Sequence, residues 1–274
     1  MKLSIITINL NNCAGLQRTI DSVICQTYKD YEWIVVDGGS TDGSRELIEQ
    51  NKHLFSWWCS EPDNGIYNAM NKGIKKANGE YLLFLNSADC LYNKDVLAKI
   101  DEEKHTADII AGLAEGLDTH RVLRHYDQDV LMHIFVSTFD HQATFIRRRL
   151  LENRPYDEKL RMQSDWKFWL QTILYDNANI EYSNTIVVIQ DPYGISNQQI
   201  ELGKQERRKV LNDVLPPPLY KTLTDYQNLR INIEYRRLKF MKEQFPIFFW
   251  ILHKVIALFT KIAKLFVKNP PPQI

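Results

Sequence analysis

The sequence predicts an α/β fold in which a mostly parallel sheet is flanked by helices and followed by a helical C-terminal tail. Apolar runs without polar interruption alternate with stretches of helical periodicity, which is typical of parallel strands connected by helices. Each of these apolar runs ends in small polar residues. Three prolines at 216–218 then separate the alternating part from a tail of different composition.

The composition is that of an ordinary globular chain, with 274 residues, 44% hydrophobic and 25% charged. The length suits one large domain with an appendage. Formal net charge is zero, but residues 220–274 carry ten Lys/Arg and three Asp/Glu, so the rest of the chain is acidic. Polar residues interrupt the apolar start, which therefore predicts a first strand and not a signal peptide. The cysteines lack metal-ligand spacing and predict reduced, cytoplasmic core thiols: Cys13, Cys25, Cys59 and Cys90.

Strands and helices are expected to alternate through the first ninety residues. Apolar runs at residues 2–8 and 33–36 predict the first two strands, and residues 55–60 predict a third. The run at residues 81–85 predicts a central strand buried on both faces. Asp63 is expected to cap the helix before it. Right-handed crossovers bring the carboxyl ends of such strands to one edge of the sheet.

Polar side chains collect at that edge. Thr7 and Asn9 end the first strand, Asp37 ends the second, and Asn86 and Asp89 follow the central strand. The chain has no GxGxxG or GxxxxGK[ST] loop, which argues against a dinucleotide or Walker phosphate site. Carboxylates favour a diphosphate handled through a divalent cation, with one acid left to bind a base or ribose. This pattern predicts a nucleotide-sugar site, and the alternative is a set of ordinary Asx turns.

Three motifs in this order, LSIITINLN, WIVVDGGSTDGS and SEPDNGIYNAMNKGIKKANGEYLLFLNSAD, resemble the inverting family 2 glycosyltransferases with the GT-A fold. The resemblance is greatest to bacterial enzymes of the colanic-acid type, which build surface polysaccharides. It is close over residues 1–90 and weaker to about residue 200. It implies nucleotide-sugar contacts, with Asp37 facing the base: Thr7, Asn9, Asp37, Asp63, Asn71 and Asn86.

The resemblance also implies a divalent cation, Mn²⁺ or Mg²⁺, at Asp89. The family commonly has two or three acids at this place, whereas here Asn86, Ser87 and Ala88 precede Asp89 alone. One carboxylate can still hold a cation that two phosphates already bind.

The second half of the chain is expected to supply the acceptor side. Residues 141–146 predict a strand that starts with His141 and Gln142, which the resemblance places beside the diphosphate; the alternative for His141 is a buried structural histidine. Asp165 matches the general base that inverting transfer requires, although it could instead cap its helix. Asp191 begins a loop, residues 191–197, that is expected to be a flap near the active site or an ordinary surface turn.

The tail predicts a basic helix at residues 222–244 and an apolar one at 247–267. The second is rich in Phe, Ile, Leu and Trp, and its lysines fall on one stripe: Lys254, Lys261, Lys264 and Lys268. Such a helix favours a position along a membrane surface, since a membrane span would bury several lysines. The alternative is packing against the catalytic domain or a partner subunit.

The sequence thus predicts a cytoplasmic enzyme bound peripherally to the inner face of the plasma membrane. It would transfer a hexosyl or N-acetylhexosaminyl group from a nucleoside-diphosphate sugar, expected to be UDP-linked, to a glycan or polyprenyl-linked acceptor. No nucleic acid partner is expected, and the oligomeric state is open. Residues 1–215 would form the catalytic domain, with a donor half at 1–90 and an acceptor half at 91–215, and residues 219–274 the tail.

Two other functions fit part of the pattern. The reduced metal motif would suit a nucleotide- or glycan-binding pseudoenzyme. A nucleotidyltransferase would need a Gly-rich basic loop after the first strand, and residues 9–13 are not one.

Overall fold

The computed structural model describes residues 2–120, 122–123, 130–191, 199–231 and 233–266. The chain divides into two compact units, Met1–Leu215 and Pro216–Ile274. The boundary falls immediately before the three prolines.

The first unit is built on one sheet. Its strands, in chain order, are β1 (Leu3–Asn9), β2 (Tyr31–Asp37), β3 (Trp57–Ser60), β4 (Tyr81–Phe84), β5 (Cys90–Leu91), β6 (Ile109–Gly116), β7 (Val122–Leu123), β8 (Thr144–Arg147) and β9 (Ile180–Gln190). The order across the sheet is β3-β2-β1-β4-β8-β6-β9-β5, and β7 pairs with β6. The first four strands are parallel, β8 runs antiparallel to β4 and β6, and β6 is parallel to β9.

Helices cover the sheet and form the second unit. The first unit contains α1 (Cys13–Ile24), α2 (Ser44–Gln50), α3 (Ile66–Ile74), α4 (Val96–Glu102), α5 (Val130–Val136), α6 (Arg148–Asn153), α7 (Ser164–Tyr175) and α8 (Ile200–Val214). The second unit contains α9 (Pro217–Ile231), α10 (Ile233–Gln244) and α11 (Pro246–Phe266). The predicted α/β fold, with a mostly parallel sheet between helices and a helical C-terminal part, is confirmed.

The register of the parallel strands fixes the position of the site. All seven residues of β1 are buried, which places this strand in the middle of the core. Asn9 lies beside Asp37, and Asp37 lies beside Ser60. The strand on the other side of β1 is β4, whose Phe84 is level with Ile6. The residues that follow β4 therefore emerge at the same sheet edge as Asn9 and Asp37.

Two local predictions about these elements were wrong. The strand expected at 141–146 starts at Thr144, because the amide of Ala143 bonds the carbonyl of Asp140 and closes a 3₁₀ turn at His141–Ala143. Asp63 does not cap α3, whose N-cap is Gly65; the Asp63 carboxylate instead accepts a hydrogen bond from the Gly65 amide in the preceding turn.

The prolines at the unit boundary also differ from expectation. They were predicted to form an extended spacer, but Pro217 begins α9. Proline suits the first helical position, because its φ is already helical and that position needs no amide donor. The cysteines are free, and Cys25 is exposed, so the prediction of a core thiol is wrong for this residue.

Candidate active site

Asp37 is the centre of a hydrogen-bonded cluster at the ends of β1, β2 and β3. Its Oδ1 accepts from Asn9 Nδ2 at 2.8 Å and from Ser40 Oγ at 2.6 Å. Its Oδ2 accepts from Ser60 Oγ at 2.7 Å and from the backbone amides of Ser40 and Gly39 at 2.9 and 3.2 Å. Five donors therefore hold one carboxylate, and two of them fix the backbone of the loop after β2.

The charge of Asp37 follows from these contacts. Burial alone would raise its pKa, but the hydrogen bonds from Ser40, Ser60 and Asn9 outweigh it and lower the pKa. Asp37 is thus a buried carboxylate that stays ionised at neutral pH. The two serines were missed from the sequence, although Ser40 lies in the DGGSTDGS motif.

Asp63 joins this cluster through Gly38. A Cβ atom on Gly38 would lie 2.5 Å from Asp63 Oδ2 and 3.2 Å from Leu10 Cδ1, so any larger residue here would displace the Asp63 carboxylate. The close approach brings the half-buried Asp63 carboxylate against the end of β2. The structure thus brings Asn9, Asp37 and Asp63 together.

Thr7 and Asn71 lie in different surroundings. Thr7 is fully buried two residues before Asn9, and its hydroxyl accepts from Trp33 Nε1 at 3.0 Å. Asn71 uses its whole amide to hold another segment: Nδ2 donates to the Tyr156 carbonyl and to Glu158 at 2.8 Å each, and Oδ1 accepts from the Tyr156 amide at 3.0 Å. These contacts are structural, and the nucleotide contacts expected of both residues remain predictions.

The loop after β4 is held by Thr19 of α1. The Thr19 hydroxyl accepts from the Ala88 amide at 3.0 Å and donates to the Asp89 carbonyl at 2.8 Å. Ala88 has a φ of 84°, a conformation that costs energy for a residue with a Cβ. Thr19 therefore stabilises a strained loop that presents Asn86 and Asp89, a role that the sequence gave no reason to assign.

Asp89 is buried and connected to the end of β9. Its Oδ1 accepts from the Asp191 amide at 2.9 Å, and the Asp191 carboxylate pairs with Arg18 at 3.0 Å. Burial raises the pKa of Asp89 to about 6, although the Asp191 amide, the nearby His141 and the Gln142 side chain act in the opposite direction. Asp89, Gln142 and Asp191 are therefore neighbours. The remainder of the predicted flap, residues 192–197, lies outside the described residues.

Asp89 fits the divalent cation in part. In the part of the chain that the structure describes, no three His, Cys, Asp or Glu residues form a group that could hold a metal ion. A buried carboxylate with a raised pKa, however, would be stabilised in its ionised form by an adjacent cation. Asp89 is thus suited to be one ligand of a cation held mainly by a diphosphate, and not the centre of a complete metal site.

Asp165 lies at the start of α7 in a second cluster. Its Oδ1 accepts from Tyr67 Oη at 2.8 Å and from the Trp166 amide at 2.9 Å, and its Oδ2 lies 3.2 Å from His141 Nδ1. The other ring nitrogen of His141 lies 3.1 Å from Asn86 Nδ2. This chain of contacts links α7 to the loop after β4, and so to Asp89.

The electrostatics of this cluster keep Asp165 charged. Burial would raise its pKa, but His141, Tyr67 and the Trp166 amide outweigh it and lower the pKa. Burial would lower the pKa of His141, and Asp165 above all reverses this and raises it. Asp165 is an ionised carboxylate with 15% of its side chain exposed, so a ligand can reach it.

Helix α8 supports the helix of Asp165 from behind. The Glu206 carboxylate accepts from the amides of Arg161, Met162 and Gln163 at 2.8, 2.8 and 3.1 Å, immediately before α7. The Arg207 guanidinium covers the Trp166 ring at 4.2 Å and donates to carbonyls at the end of α5. Burial lowers the pKa of Arg207 to about 10, so it remains a cation at neutral pH. Neither residue was predicted from the sequence.

Comparison with known proteins identifies the family. The model of "Glycosyl transferase family 2" matches residues 4–165, which is more than half of the chain and ends at Asp165. This chain belongs to glycosyl transferase family 2. It is 32% identical over 211 residues to a PGL/p-HBAD biosynthesis glycosyltransferase of Mycobacterium bovis, covering 72% of this chain and 80% of the relative. It is 46% identical over 101 residues to an uncharacterized glycosyltransferase of Mycobacterium tuberculosis, covering 36% of this chain and 38% of that protein.

Solved structures agree on the fold of this family 2 glycosyltransferase. Staphylococcus aureus TarS 1-349 in complex with UDP-GlcNAc aligns with a TM-score of 0.61 and 20% identity, over 81% of this chain and 70% of that one. In a longer TarS structure the chain spans 43% of the length. The mannosyltransferase PcManGT from Pyrobaculum calidifontis, in complex with GDP-Man and Mn²⁺, aligns with a TM-score of 0.61 and 16% identity, over 97% of this chain and 81% of that one. The resemblance to colanic-acid-type enzymes remains a prediction.

Proposed function

We propose that this glycosyltransferase transfers a sugar, with inversion, from a nucleoside-diphosphate sugar to a hydroxyl group of a glycan or lipid-linked acceptor. One observation carries the proposal: an ionised, partly accessible carboxylate, Asp165, is connected through His141 and Asn86 to the sheet edge on which Asp37 is clustered. The complexes of related folds with UDP-GlcNAc and with GDP-Man support a nucleotide-sugar donor, and we expect it to be UDP-linked.

The residues have separate tasks in this reaction. The loop fixed by Asp37 would bind the nucleoside, with Asn9 and Asp63 beside it. Asp165 would accept the proton of the acceptor hydroxyl as its oxygen attacks the anomeric carbon, while the bond to the nucleoside diphosphate breaks on the opposite face. Asp89 would contribute one ligand to Mn²⁺ or Mg²⁺, which when bound would neutralise the diphosphate.

A donor screen tests the binding half of the proposal. Thermal unfolding would be followed with UDP-GlcNAc, UDP-glucose, UDP-galactose and GDP-mannose, each with and without Mn²⁺. A ligand at a hundred times its dissociation constant adds about 2.7 kcal/mol of stability, which is readily measured. We expect one donor to stabilise the protein, Asp89→Ala to remove the Mn²⁺-dependent part, and Asp37→Ala to weaken binding with or without Mn²⁺. No stabilisation by any donor would contradict the proposal.

The chemical half is tested with Asp165→Asn. This change keeps the size of the side chain and removes the base, so the release of nucleoside diphosphate from the donor should slow by about 10²–10⁴-fold with unchanged donor affinity. Near-normal turnover would move the base elsewhere, with Asp191 the next candidate. Donor binding without turnover in the wild type would favour the pseudoenzyme.

We further propose that α11 attaches the protein to the anionic surface of a membrane. No helix among the described residues meets the length and hydropathy needed to cross a bilayer. Large apolar side chains of α11 are nevertheless exposed: Ile247, Phe248, Trp250, Ile251, Val255, Ile256 and Phe259. Lys254 lies 5.4 Å from the centre of the Trp250 ring, so this apolar surface carries a cation. Lysines beside exposed aromatic residues favour a bilayer interface over an apolar subunit contact.

Vesicle sedimentation tests this attachment. The full-length protein should pellet with vesicles containing phosphatidylglycerol, in a salt-sensitive way, and not with pure phosphatidylcholine. Changing Lys254, Lys261, Lys264 and Lys268 to Gln should reduce binding, whereas the same change at four exposed lysines of the first unit should not: Lys29, Lys52, Lys94 and Lys104. A protein that ignores anionic vesicles but forms a stable dimer would make α11 a subunit contact.

A further inference from the structure

The hydrogen bonds of Asp165 leave one position for a proton. A carboxylate has about four acceptor positions, two on each oxygen. Oδ1 already accepts from the Tyr67 hydroxyl and the Trp166 amide, and Oδ2 accepts from His141. The remaining acceptor position belongs to Oδ2, the oxygen that His141 contacts.

The partner of Oδ2 must be a donor, and this places a hydrogen on one nitrogen of the imidazole ring. An ionised carboxylate can only accept, so the hydrogen of the contact belongs to Nδ1 of His141. Nε2 faces the side-chain amide of Asn86 at 3.1 Å. With Asn86 Nδ2 donating, Nε2 accepts in the neutral ring; the contact with Asp165 needs only the hydrogen on Nδ1, which the charged ring favoured by the raised pKa of His141 also carries.

The Asn86 side chain is held through Nδ2, by its contact with His141, and not through Oδ1. Its Oδ1 is buried and has no hydrogen-bond partner within the described part of the chain. An unpaired buried amide oxygen costs free energy, and such groups in a folded protein call for an explanation such as a functional constraint. Orientation of the His141 ring supplies one here.

We propose that His141 is a positioning residue for Asp165: its Nδ1–H holds Oδ2 so that the free acceptor position of this oxygen receives the proton of the acceptor hydroxyl, and Asn86 holds the ring. This inference rests on the proposed role of Asp165 as the base. The expected role of His141 beside the diphosphate stays a prediction. Tyr67 holds the oxygen that does not react.

Two substitutions separate the contacts of the ring. The amide nitrogen of Asn is three bonds from Cα, as is Nδ1 of histidine, so His141→Asn retains a donor toward Asp165 and loses the contact with Asn86. The amide nitrogen of Gln is four bonds from Cα, as is Nε2, so His141→Gln retains a polar group toward Asn86 and loses the donor toward Asp165.

The readout is the release of nucleoside diphosphate with water as acceptor, using the panel donor that raises the unfolding temperature most. We expect kcat to fall by about 10²-fold in His141→Gln and by less than about tenfold in His141→Asn, since positioned proton transfer is worth about 10²–10⁴-fold. KM for the donor should change little in either variant. A histidine that served only to fill space would not rank the two variants in this order.

Controls keep the outcomes distinct. His105 also lies between two polar partners, Glu181 and Glu103 at 2.6 Å each, but at the amino edge of β6 and β9. His105→Asn and His105→Gln should leave kcat unchanged. If a His141 variant does not fold, Tyr67→Phe replaces it, and kcat should then fall less than in Asp165→Asn.

Equal turnover in both His141 variants, or faster turnover in His141→Gln, would overturn the inference. If Asp165→Asn retains turnover, the proposed base is wrong. If Asp165→Asn is inactive while both His141 variants match the wild type, the base stands and the inference fails.

Discussion

The two carboxylate clusters at the sheet edge differ in how much of each carboxylate is free. Asp37 accepts five hydrogen bonds from the last residues of β1 and β3 and from the loop after β2, and it has no exposed surface. Asp165 accepts three from the protein and is partly exposed. In both, hydrogen-bond donors lower the pKa of the carboxylate. A carboxylate whose acceptor positions are all occupied by hydrogen bonds organises a loop, whereas one with a free acceptor position can take part in chemistry.

The clusters also differ in their origin along the chain. Asn9 and Asp37 end neighbouring parallel strands, so strand order alone brings them together, and the sequence predicted their proximity. Tyr67 and Asp165 are 98 residues apart, and the hydrogen bond from the Tyr67 hydroxyl to the Asp165 carboxylate joins α3 to α7. Local patterns predict the first kind of site; for the second, the family resemblance pointed to Asp165 and His141 but not to Tyr67 or to the contacts that join them.

The largest expected effect comes from breaking the Asp37 cluster. Asp37→Asn replaces one acceptor oxygen by an NH2 group. The donors that now bond this oxygen would lose their partner and remain buried and unpaired. We expect the free energy of unfolding to fall by about 2–4 kcal/mol and donor binding to be lost, because the loop after β2 would no longer be fixed. Urea unfolding and donor titration measure both.

The matched control lies in the same loop. Asp42 accepts from the Cys13 amide at 2.8 Å and from Ser44 Oγ at 2.6 Å, but these contacts are close to solvent. Asp42→Asn should therefore destabilise the protein less. Equal losses of unfolding free energy in the two variants would mean that the five hydrogen bonds to the buried carboxylate do not account for the stabilisation by Asp37.

An intermediate effect is expected on the Asp165 side, at Glu206. Its carboxylate bonds three amides at the N-terminal end of α7, where a negative charge also interacts favourably with the helix dipole. Glu206→Gln should lower the free energy of unfolding by about 1–2 kcal/mol. It should reduce kcat, because Asp165 is the second residue of α7, and leave donor affinity unchanged.

Glu201 provides the comparison within the same helix. It lies in the first turn of α8, where it pairs with Lys204 on an exposed surface at 2.6 Å. Glu201→Gln should affect neither stability nor turnover. Loss of donor affinity in Glu206→Gln, with normal kcat, would show that α8 supports the donor side and not the base.

The contacts that could not be predicted from the sequence are tertiary contacts between distant segments. Glu206 and Arg207 lie beyond residue 165, where the family model ends, and their partners are backbone groups 43 or more residues away. His141 was expected in a strand, and a turn closed by the Asp140 carbonyl instead directs it toward Asp165. Strand order was predictable because apolar runs and crossovers are local rules. Helix-to-helix contacts depend on packing that no local pattern describes.

The smallest expected effect concerns His105. Its contacts show what an imidazole–carboxylate pair outside the active site contributes to the stability of the fold. Burial would lower the pKa of His105, but the hydrogen bonds that its ring makes to the Glu181 and Glu103 carboxylates reverse this and raise it above 6.5. The contact with His105 in turn lowers the pKa of Glu181 below 4.5. The stabilisation that charged His105 adds to the free energy of unfolding is complete below pH 6.5 and is lost as pH rises through its raised pKa. The stabilisation that ionised Glu181 adds to the free energy of unfolding is complete above pH 4.5 and is lost as pH falls through its lowered pKa.

The two contributions overlap between about pH 4.5 and 6.5, so the difference in unfolding free energy between wild type and His105→Gln should be largest there and shrink toward pH 9. We expect about 1 kcal/mol or less, because Glu181 is partly exposed and solvent screens the pair. Urea unfolding across this range measures the difference, with the exposed His53→Gln as control. A difference that stays constant with pH would mean that His105 stabilises the fold by packing and not by charge.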